Sequence, residues 1–494
     1  MFGKIKALLL ENRTSKQTVA KNTFWLTVAN FGGKLIKAVI VIYAARVLGT
    51  AGYGVFSYAI TLAGFLTLFM DPGINGILVR DASKAGEEGR RVIFDTMLVM
   101  KLVLVAIGVV VIMTIAPLFT TLPGAKALLV IVAIIMGMDT LQSFFSSLLV
   151  AMERMEWYAV VFLLMNFAIA FFGFIFLLHA PTALSFGWGY VAGDLVGLIA
   201  LAIVLRRYLK NIFSFFSRER VLPILRAAWP FALSGALGLL FTNTDILILS
   251  WMRSASEVGI YSAAIRIIQT LYLIPGIIQA ATLPLFSRLA KRDNPKFRAG
   301  LEQTLSMVFF ASIPLSLGGI ILGTPIMGLL FGRAYALGGP ALTLLMATLF
   351  FDFAATIVIN ALFAYDHQRS LVISSAMAGV LNVVLDLLLI PSYGMAGSAI
   401  ATLIAQALNN WYLWHSMKKV NNFTILPRLR KIFAAAAVMA AMTVLFASLH
   451  VELLLNIAAS GAIYFLVLRA LREPLLIEVK RLIFPPVPQA PTAA

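Results

Sequence analysis

An apolar stretch at residues 22–60 carries lysines near the middle of its first bilayer-long segment. A transmembrane helix needs about 20 predominantly apolar residues, and this stretch supplies them. Asn30, Lys34 and Lys37 follow one another at i, i+4 and i+7, so they share one face of a helix. A lysine at mid-bilayer is costly unless it faces protein or water. We therefore interpret this face as the lining of a cavity that attracts anions; the alternative is that the lysines snorkel or pair with buried aspartates.

The composition indicates a membrane protein along the whole chain. Of the 494 residues, 61% are hydrophobic and only 12% are charged. The apolar runs are too long for barrel strands, so the fold class is predicted to be all-α and polytopic. The net charge of +18 does not suggest a nucleic-acid partner, because the cations lie in short loops. Cysteine is absent and the four histidines are scattered, so no disulfide, metal site or cofactor is expected.

The apolar segments predict about 14 transmembrane helices, and residues 2–10 resemble a short interfacial helix. The spans are expected at 21–48, 54–71, 92–118, 127–151, 157–179, 182–205, 227–252, 259–286, 300–323, 341–365, 370–390, 394–416, 431–449 and 452–470.

The distribution of basic residues predicts the orientation of these spans. When the basic residues at the ends of spans are counted with the adjoining loop or tail, 31 of the 39 lysines and arginines belong to the two tails and the even-numbered loops, and four belong to the odd-numbered loops. Cytoplasmic loops carry the excess of basic residues, so both termini are predicted to be cytoplasmic in a multi-pass protein of the cell membrane. The remaining four cations, Lys34, Lys37, Lys101 and Arg266, lie inside spans.

A weak internal repeat relates the two halves of the chain. GVFSYAI from Gly54 is matched by GIYSAAI from Gly259 at an offset of 205 residues. Asp139 and Asp352 correspond at an offset of 213. Halves of six spans each insert with the same orientation, which predicts two parallel six-helix lobes related by a pseudo-twofold along the membrane normal, plus two C-terminal helices. The predicted parts are an N-terminal segment (1–20), an N-terminal lobe (21–206), a basic linker (207–226), a C-terminal lobe (227–416), helices 13 and 14 (431–470) and a tail (471–494).

The four cations inside spans predict an anion site. Lys101 lies near mid-bilayer in the third span and would join Lys34 and Lys37 in a cationic cluster suited to a phosphate or diphosphate. The alternative for Lys101 is pairing with Asp95 or Asp139. Arg266 lies at the depth of Asp245 on the neighbouring span, so a salt bridge between them is the structural alternative to ligand contact.

Acidic residues inside spans are candidates for ion coupling. Asp139, Asp194 and Asp352 lie near the middle of the fourth, sixth and tenth spans. Buried carboxyl groups can carry protons in a coupled transporter, or they can balance the buried cations. The repeat-related Asp139 and Asp352 are the first candidates. Pro275 and Pro314 are expected to kink the eighth and ninth spans.

Six segments, in order and spread over nearly the whole chain, resemble the polysaccharide transporter family, the O-antigen-type flippase branch of the multidrug/oligosaccharidyl-lipid/polysaccharide exporter superfamily. They are RVLGTAGYGVFSYAI (46–60), DPGINGILVRDASK (71–84), LLVAMERMEWYAV (148–160), WPFALSGALGLLFTNTDILILSWMRSASEVGIYSAAIRI (229–267), LFGRAYALGGPAL (330–342) and LNVVLDLLLIPSYGMAGSAIATLIAQ (381–406).

The resemblance implies a V-shaped core of two six-helix lobes and a cationic central cavity. It implies a non-enzymatic flippase that moves a polyprenyl-diphosphate-linked oligosaccharide from the inner to the outer leaflet by alternating access. The partners expected are this lipid-linked substrate, membrane lipid and a coupling H⁺ or Na⁺, with the protein acting as a monomer. Asp245 matches the acidic residue common in the seventh helix of the family, whereas the two cations of the first helix are lysines where relatives can use arginine.

Four other functions are alternatives to this one. A multidrug cation antiporter of the same superfamily would need an acidic cavity, which the lysines of the first span contradict. A peptidoglycan-precursor (lipid II-type) flippase would use the same chemistry on a different glycan. A membrane glycosyltransferase or ligase is disfavoured because the chain has no long outer loop and no catalytic motif, and a scaffold would not need lysines at mid-membrane.

Overall fold

A computed structural model describes residues 15–120, 122–210 and 214–476, and every regular element in them is helical. The predicted interfacial helix at 2–10 and most of the predicted tail lie outside the described residues. The α-helices are α1 (Ser15–Leu66), α2 (Ile74–Ala82), α3 (Glu87–Ile115), α4 (Ala125–Ala151), α5 (Met155–His179), α6 (Ala183–Val204), α7 (Arg206–Leu209), α8 (Arg218–Met252), α9 (Ala255–Leu271), α10 (Leu273–Leu289), α11 (Asn294–Phe331), α12 (Gly339–Ala364), α13 (Gln368–Val420), α14 (Leu426–Ser448) and α15 (Leu453–Ala470).

The helices agree with the predicted all-α polytopic class. In the described part of the chain, 11 helices are long and apolar enough to cross a membrane. Two of these, α1 and α13, contain the non-helical residues Gly49 (φ 67°) and Gly394 (φ 56°), so each holds two predicted spans. Helix α8 covers the predicted seventh span. About 14 spans are therefore consistent with the structure, and the chain is a multi-pass membrane protein.

The break in α1 depends on a glycine and on side chains that hold its carbonyl groups. The left-handed φ of Gly49 is costly for residues that carry a Cβ. The Tyr335 hydroxyl donates to the carbonyls of Ala45 (2.8 Å) and Gly49 (3.0 Å). Arg46 donates from Nε to the Leu330 carbonyl at 2.7 Å. These bonds satisfy carbonyl groups that the interrupted helices leave without intrahelical donors.

The predicted eighth span is broken three residues before its proline. Helix α9 ends at Leu271 and α10 begins at Leu273, with Tyr272 between them. Pro275 has no N–H for the carbonyl of Leu271, and its ring clashes with that carbonyl in a regular helix. This confirms a break at the predicted place, whereas Pro314 lies within α11, which continues to Phe331.

The helices form two compact units. The first contains the described residues up to Thr270 together with Leu330–Gly338 and Gly379–Ala401. The second contains Leu271–Leu329, Gly339–Ala378 and the described residues from Thr402 onward. The predicted seventh span therefore packs within the first unit. The predicted lobe boundaries and the twofold axis stay predictions.

Close helix packing in the first unit depends on small residues. Among the described helices, α5 and α6 make the most extensive contact. A Cβ on Gly189 would lie 2.6 Å from the Cα of Gly173, and one on Gly193 would lie 2.5 Å from the backbone nitrogen of Ile169. Within a membrane, association of helices relies on such close approach because lipid offers no hydrophobic driving force.

Helices α1 and α9 cross through the two glycines that the sequence repeat relates. A Cβ on Gly54 would lie 1.8 Å from the carbonyl oxygen of Ala255, and one on Gly259 would lie 2.0 Å from that of Thr50. Thr50 and Ala255 are themselves 205 residues apart, so the contact is reciprocal at the offset of the repeat. Ser256 adds a 2.8 Å hydrogen bond to the Thr50 hydroxyl.

Candidate functional site

Helix α1 presents polar side chains along one face, as the spacing predicts. Asn30 and Lys34 are exposed, and Asn30 donates to the Leu26 carbonyl one turn earlier in its own helix. Lys37 is half-buried, with its ammonium group 5.2 Å from the centre of the Tyr190 ring on α6. Lys34 has no ion pair or hydrogen bond with any described residue. Its charge is therefore available to a ligand.

Lys37 lies at the centre of a group of charges from four helices. Asp139 on α4, Asp194 on α6 and Arg266 on α9 lie close enough for their charges to act on its ammonium group. Asp139 and Arg266 are exposed, whereas Asp194 is fully buried. We call Lys34, Lys37, Tyr190, Asp139 and Arg266 the mid-membrane cluster. It combines three cations with one accessible carboxylate. The buried carboxyl group of Asp194 lies close to it.

Asp194 has an unusual environment for a carboxyl group. Both of its carboxyl oxygens are buried without a hydrogen-bond partner among the described residues. The Gln142 amide lies beside the carboxyl group and donates to the backbone carbonyl of Asp194 at 2.9 Å. Burial of an unpaired carboxylate is costly, so this group favours a bound proton or a mobile cation.

Lys101 is separated from the mid-membrane cluster by its own ion pair. Its side chain is fully buried and its Nζ lies 3.2 Å from Asp71 Oδ2 and 3.2 Å from Asn75 Oδ1. Neither of the predicted alternative partners is used: Asp95 accepts the backbone N–H of Phe215, and Asp139 lies near Lys37. Asp71 follows the first hairpin, and its other oxygen accepts the N–H groups of Gly73 and Asn75.

The predicted salt bridge between Asp245 and Arg266 is not formed. Asp245 accepts a 2.7 Å hydrogen bond from the Tyr261 hydroxyl, and Arg266 donates to Gln269 at 3.0 Å. The physical reason is helical phase: Arg266 is exposed on α9, while Tyr261 is on the buried side that meets Asp245. Asp386 on α13 is fully buried and lies close enough to Asp245 for the two carboxyl groups to interact electrostatically.

Asp352 belongs to the second unit and is fully hydrogen-bonded there. The Tyr272 hydroxyl donates to its Oδ2 at 2.5 Å, and Asn410 donates to its Oδ1 at 3.0 Å. Tyr272 is the residue at the break between α9 and α10. Asp352 therefore ties this break to α12 and α13, in an environment unlike that of the repeat-related Asp139.

Two functional groups were not among the predicted site residues. Tyr190 has an aromatic ring that faces Lys37, but in sequence it resembles an ordinary core residue of an apolar helix. Asp386 lies inside the predicted eleventh span, and the structure brings it close enough to Asp245 for the two charges to interact. Among the described residues no group of three or more His, Asp or Glu could hold a metal ion.

The chain is similar in sequence to known proteins. The family described as "Polysaccharide biosynthesis protein" matches residues 19–290, more than half of the chain. The probable low-salt glycan biosynthesis flippase Agl15 of Haloferax volcanii is 21% identical over 79% of this chain and 82% of its own length. The putative O-antigen transporter of Shigella flexneri is 22% identical over 78% of this chain and 94% of its own length.

Solved structures share the fold at low sequence identity. A lipid II flippase MurJ in an inward closed conformation has a TM-score of 0.75 at 18% identity, covering 91% of this chain and 99% of that protein. A multidrug resistance MATE family transporter in an inward-facing conformation has a TM-score of 0.61 at 15% identity, covering 79% of this chain and 94% of that one.

Proposed function

Because this chain belongs to the polysaccharide biosynthesis protein family, we propose that it is a flippase that moves a polyprenyl-diphosphate-linked oligosaccharide from the inner to the outer leaflet. The relatives named as glycan flippase, O-antigen transporter and lipid II flippase all support a lipid-linked saccharide. The observation that carries the proposal is the exposed, unpaired Lys34 beside Lys37 and Arg266 in the middle of the predicted spans.

The mid-membrane cluster supplies the chemistry that such a substrate needs. A diphosphate cannot cross hydrocarbon with its charges uncompensated, because burial of an unpaired ion is strongly unfavourable. Lysine binds phosphate as a point charge, and Lys34 and Lys37 lie one helical turn apart on α1. Arg266 adds a planar group suited to bidentate binding of phosphate or of an acidic sugar. The prenyl chain can remain in lipid throughout the movement.

The charge balance favours this function over export of drug cations. The structural similarity to a multidrug transporter is a similarity of fold only. A cation site requires net negative charge, whereas the mid-membrane cluster has Lys34, Lys37 and Arg266 against the accessible Asp139. A lipid II-type flippase would use the same cations on a different glycan, so the choice between these two substrates rests on the sugar and not on the diphosphate.

Ion coupling is assigned to buried carboxyl groups within the first unit. Both carboxyl oxygens of Asp194 are buried without a hydrogen bond of normal length to a described residue, and Lys37 and Asp139 lie near them. Asp245 and Asp386 form a second pair of buried acids. Two carboxylates close together hold a proton or a monovalent cation more readily than either does alone. Asp352 is a weaker candidate because both of its carboxyl oxygens already accept hydrogen bonds, from Tyr272 and Asn410.

We also propose that the protein is a transporter without enzymatic activity or a cofactor. It acts as a monomer in the cell membrane, with both termini in the cytoplasm. Transport by alternating access needs no covalent chemistry on the substrate. The functional cycle then requires only substrate, membrane lipid and a coupling H⁺ or Na⁺.

Binding of a short-chain prenyl-diphosphate sugar to the purified protein in detergent tests the proposal. The uncharged prenol and a lipophilic cation serve as comparison ligands. We expect diphosphate-dependent binding that Lys34→Ala/Lys37→Ala weakens by about tenfold or more, since each charge-assisted contact contributes roughly 1.5–3 kcal/mol. Lys126→Ala is the matched control, because Lys126 is exposed at the start of α4 and has no partner among the described residues.

Two results would contradict the assignment. Binding of the lipophilic cation that is indifferent to both lysines would return the protein to the multidrug class and make the aspartates the site. Equal loss in Lys126→Ala and in the double variant would show that net charge, and not the mid-membrane cluster, governs binding.

A further inference from the structure

A cationic cavity of about 570 Å³ lies in the second unit, apart from every residue assigned to transport. It opens where α11 begins and α13 ends, and its wall includes Arg298, Lys418 and Lys419. The volume is within the range of about 300–1,000 Å³ found for small-molecule sites. On the predicted topology this face of the protein is the one that carries most of the lysines and arginines.

The single acid of the cavity is already occupied, which leaves the cavity net positive. Glu302 is buried, and its Oε1 accepts from Arg298 Nε at 2.9 Å and from the backbone N–H of Thr424 at 2.8 Å. Its Oε2 lies 3.2 Å from Arg428 Nη2. The carboxylate thus fixes the position of the Arg298 head and the following chain segment. The carboxylate is therefore not available to bind a cation.

Two lysines at the end of α13 provide the remaining charge. Lys418 is half-buried, donates to the Phe423 carbonyl and lies 4.6 Å from the centre of the Phe423 ring. Lys419 is exposed and has no hydrogen-bond or ion-pair partner among the described residues. Arg298 and Lys418 are therefore held in place, and Lys419 is free to bind an anion.

An unpaired acceptor lies beside these cations. Asn421 is buried, with 6% of its surface exposed, and its Oδ1 has no hydrogen-bond partner in the described part of the chain. Its amide nitrogen is directed to Asn294 Oδ1 at 3.4 Å. A buried acceptor without a donor is costly. A ligand that carries both an anionic group and a hydroxyl or ammonium donor would satisfy both the cations and this oxygen.

Exposed apolar side chains flank the cavity and indicate that the ligand is a lipid. Trp411 lies two turns before Lys418 on α13 and is 63% exposed. Leu426, the first residue of α14, is 68% exposed. Tryptophan is typical of the membrane–water boundary, where lipid headgroups lie. A phosphate in the cavity would thus be at headgroup depth, with apolar surface beside it for acyl chains.

We propose that this cavity binds the headgroup of an anionic glycerophospholipid. Lys419 and Arg298 contact the phosphodiester, and a headgroup hydroxyl donates to Asn421 Oδ1. The first unit also has a cationic cavity, of about 510 Å³ and lined by Arg80, Lys84 and Arg220, but none of its described lining residues has a buried side-chain oxygen or nitrogen without a partner. The cavity of the second unit is therefore the better anion site.

Native mass spectrometry of the purified full chain in detergent tests the proposal. The probes are phosphatidylglycerol, phosphatidylcholine, inorganic phosphate and glycerol 3-phosphate. We expect phosphatidylglycerol to bind more tightly than phosphatidylcholine, and Lys419→Gln to weaken it about fivefold, as expected for one basic residue at an anionic membrane surface. Lys418→Gln/Lys419→Gln should weaken it about 25-fold.

Lys296→Gln is the matched control. Lys296 lies on the first turn of α11, beside the cavity but outside its lining, and pairs with Asp293 at 2.9 Å. The Lys296→Gln substitution removes the same charge from the same face. It should change phosphatidylglycerol binding by less than about twofold, since an exposed pair contributes little. Lys419→Gln should leave prenyl-diphosphate binding unchanged, which separates this site from the proposed transport site.

Three results would overturn the proposal. Equal binding of phosphatidylglycerol and phosphatidylcholine would exclude recognition of the anionic headgroup. Phosphatidylglycerol binding that Lys419→Gln does not weaken would place the lipid elsewhere. Displacement of phosphatidylglycerol by glycerol 3-phosphate or inorganic phosphate at equal concentration would identify the cavity as a site for soluble anions.

Discussion

At the scale of single residues, Lys37 and Lys101 show two different roles of a lysine inside a transmembrane span. Lys37 lies among charges from several helices, and Lys101 is fully buried against one acid. Both were predicted to contact substrate because both lie at mid-span. Only Lys37 has the accessible neighbours that a ligand site needs. Lys101 instead binds α3 to the turn that follows the first hairpin.

Asp71→Asn should destabilise the protein by leaving Lys101 buried without its counter-ion. The loss is expected at about 2–3 kcal/mol, at or below the usual range for a broken buried pair, because Asp71 is 26% exposed. Thermal unfolding in detergent measures it. Asp71→Asn/Lys101→Met should recover much of the loss, since an apolar replacement removes the unpaired charge. A double variant less stable than the single one would show that the pair is not the cause.

The sequence predicted which residues share a helix face but not which residues meet across helices. The spacing of Asn30, Lys34 and Lys37 was sufficient because all three lie on α1. The partner of Lys101 could not be found in this way, because Asp71 reaches it only after residues 71–75 fold against α3. Depth alone suggested that Arg266 would meet Asp245, but depth does not specify the helical phase.

At the scale of elements, the crossing of α1 and α9 depends on the absence of two side chains. The sequence repeat identified Gly54 and Gly259 as equivalent, and the structure shows that each approaches the backbone of the other helix. Helix positions, broken segments and the proline break were all predictable, because they follow from local hydrophobicity and backbone geometry. The reciprocal contact required tertiary structure.

Gly54→Ala should destabilise the α1–α9 crossing. Its Cβ would overlap the Ala255 carbonyl, a backbone atom that cannot rotate away, so the helices must separate. We expect a loss of roughly 1–3 kcal/mol in thermal unfolding, as for other overpacked sites. Gly64→Ala is the control, since nothing lies within 4 Å of its Cβ, and it should be neutral or stabilising by up to about 1 kcal/mol. Equal effects of the two changes would refute the role assigned to the crossing.

At the scale of the whole molecule, hydrogen bonds recur at the spacing of the repeat. Asp95 near the start of α3 accepts the N–H of Phe215, and Glu302 near the start of α11 accepts that of Thr424. The two acids are 207 residues apart and their partners are 209 apart. Each acid holds the chain segment that follows the sixth span of its half. This agreement supports the predicted parallel repeat, which requires an even number of spans in each half.

An even number of spans also determines which loops share a side of the membrane, and the chain is well suited to a direct test because it contains no cysteine. Single cysteines at Lys126, Lys291 and Arg430 would each be the only thiol in the protein. Lys126, the second residue of α4, lies in a predicted outer loop (119–126). Lys291, between α10 and α11, and Arg430, near the start of α14, lie in predicted cytoplasmic loops (287–299 and 417–430). In intact cells a membrane-impermeant maleimide should label Lys126→Cys and should label Lys291→Cys and Arg430→Cys only after permeabilisation. Labelling of Lys291→Cys and Arg430→Cys on opposite sides would break the predicted alternation of spans between them, and with it the parallel orientation of the two halves.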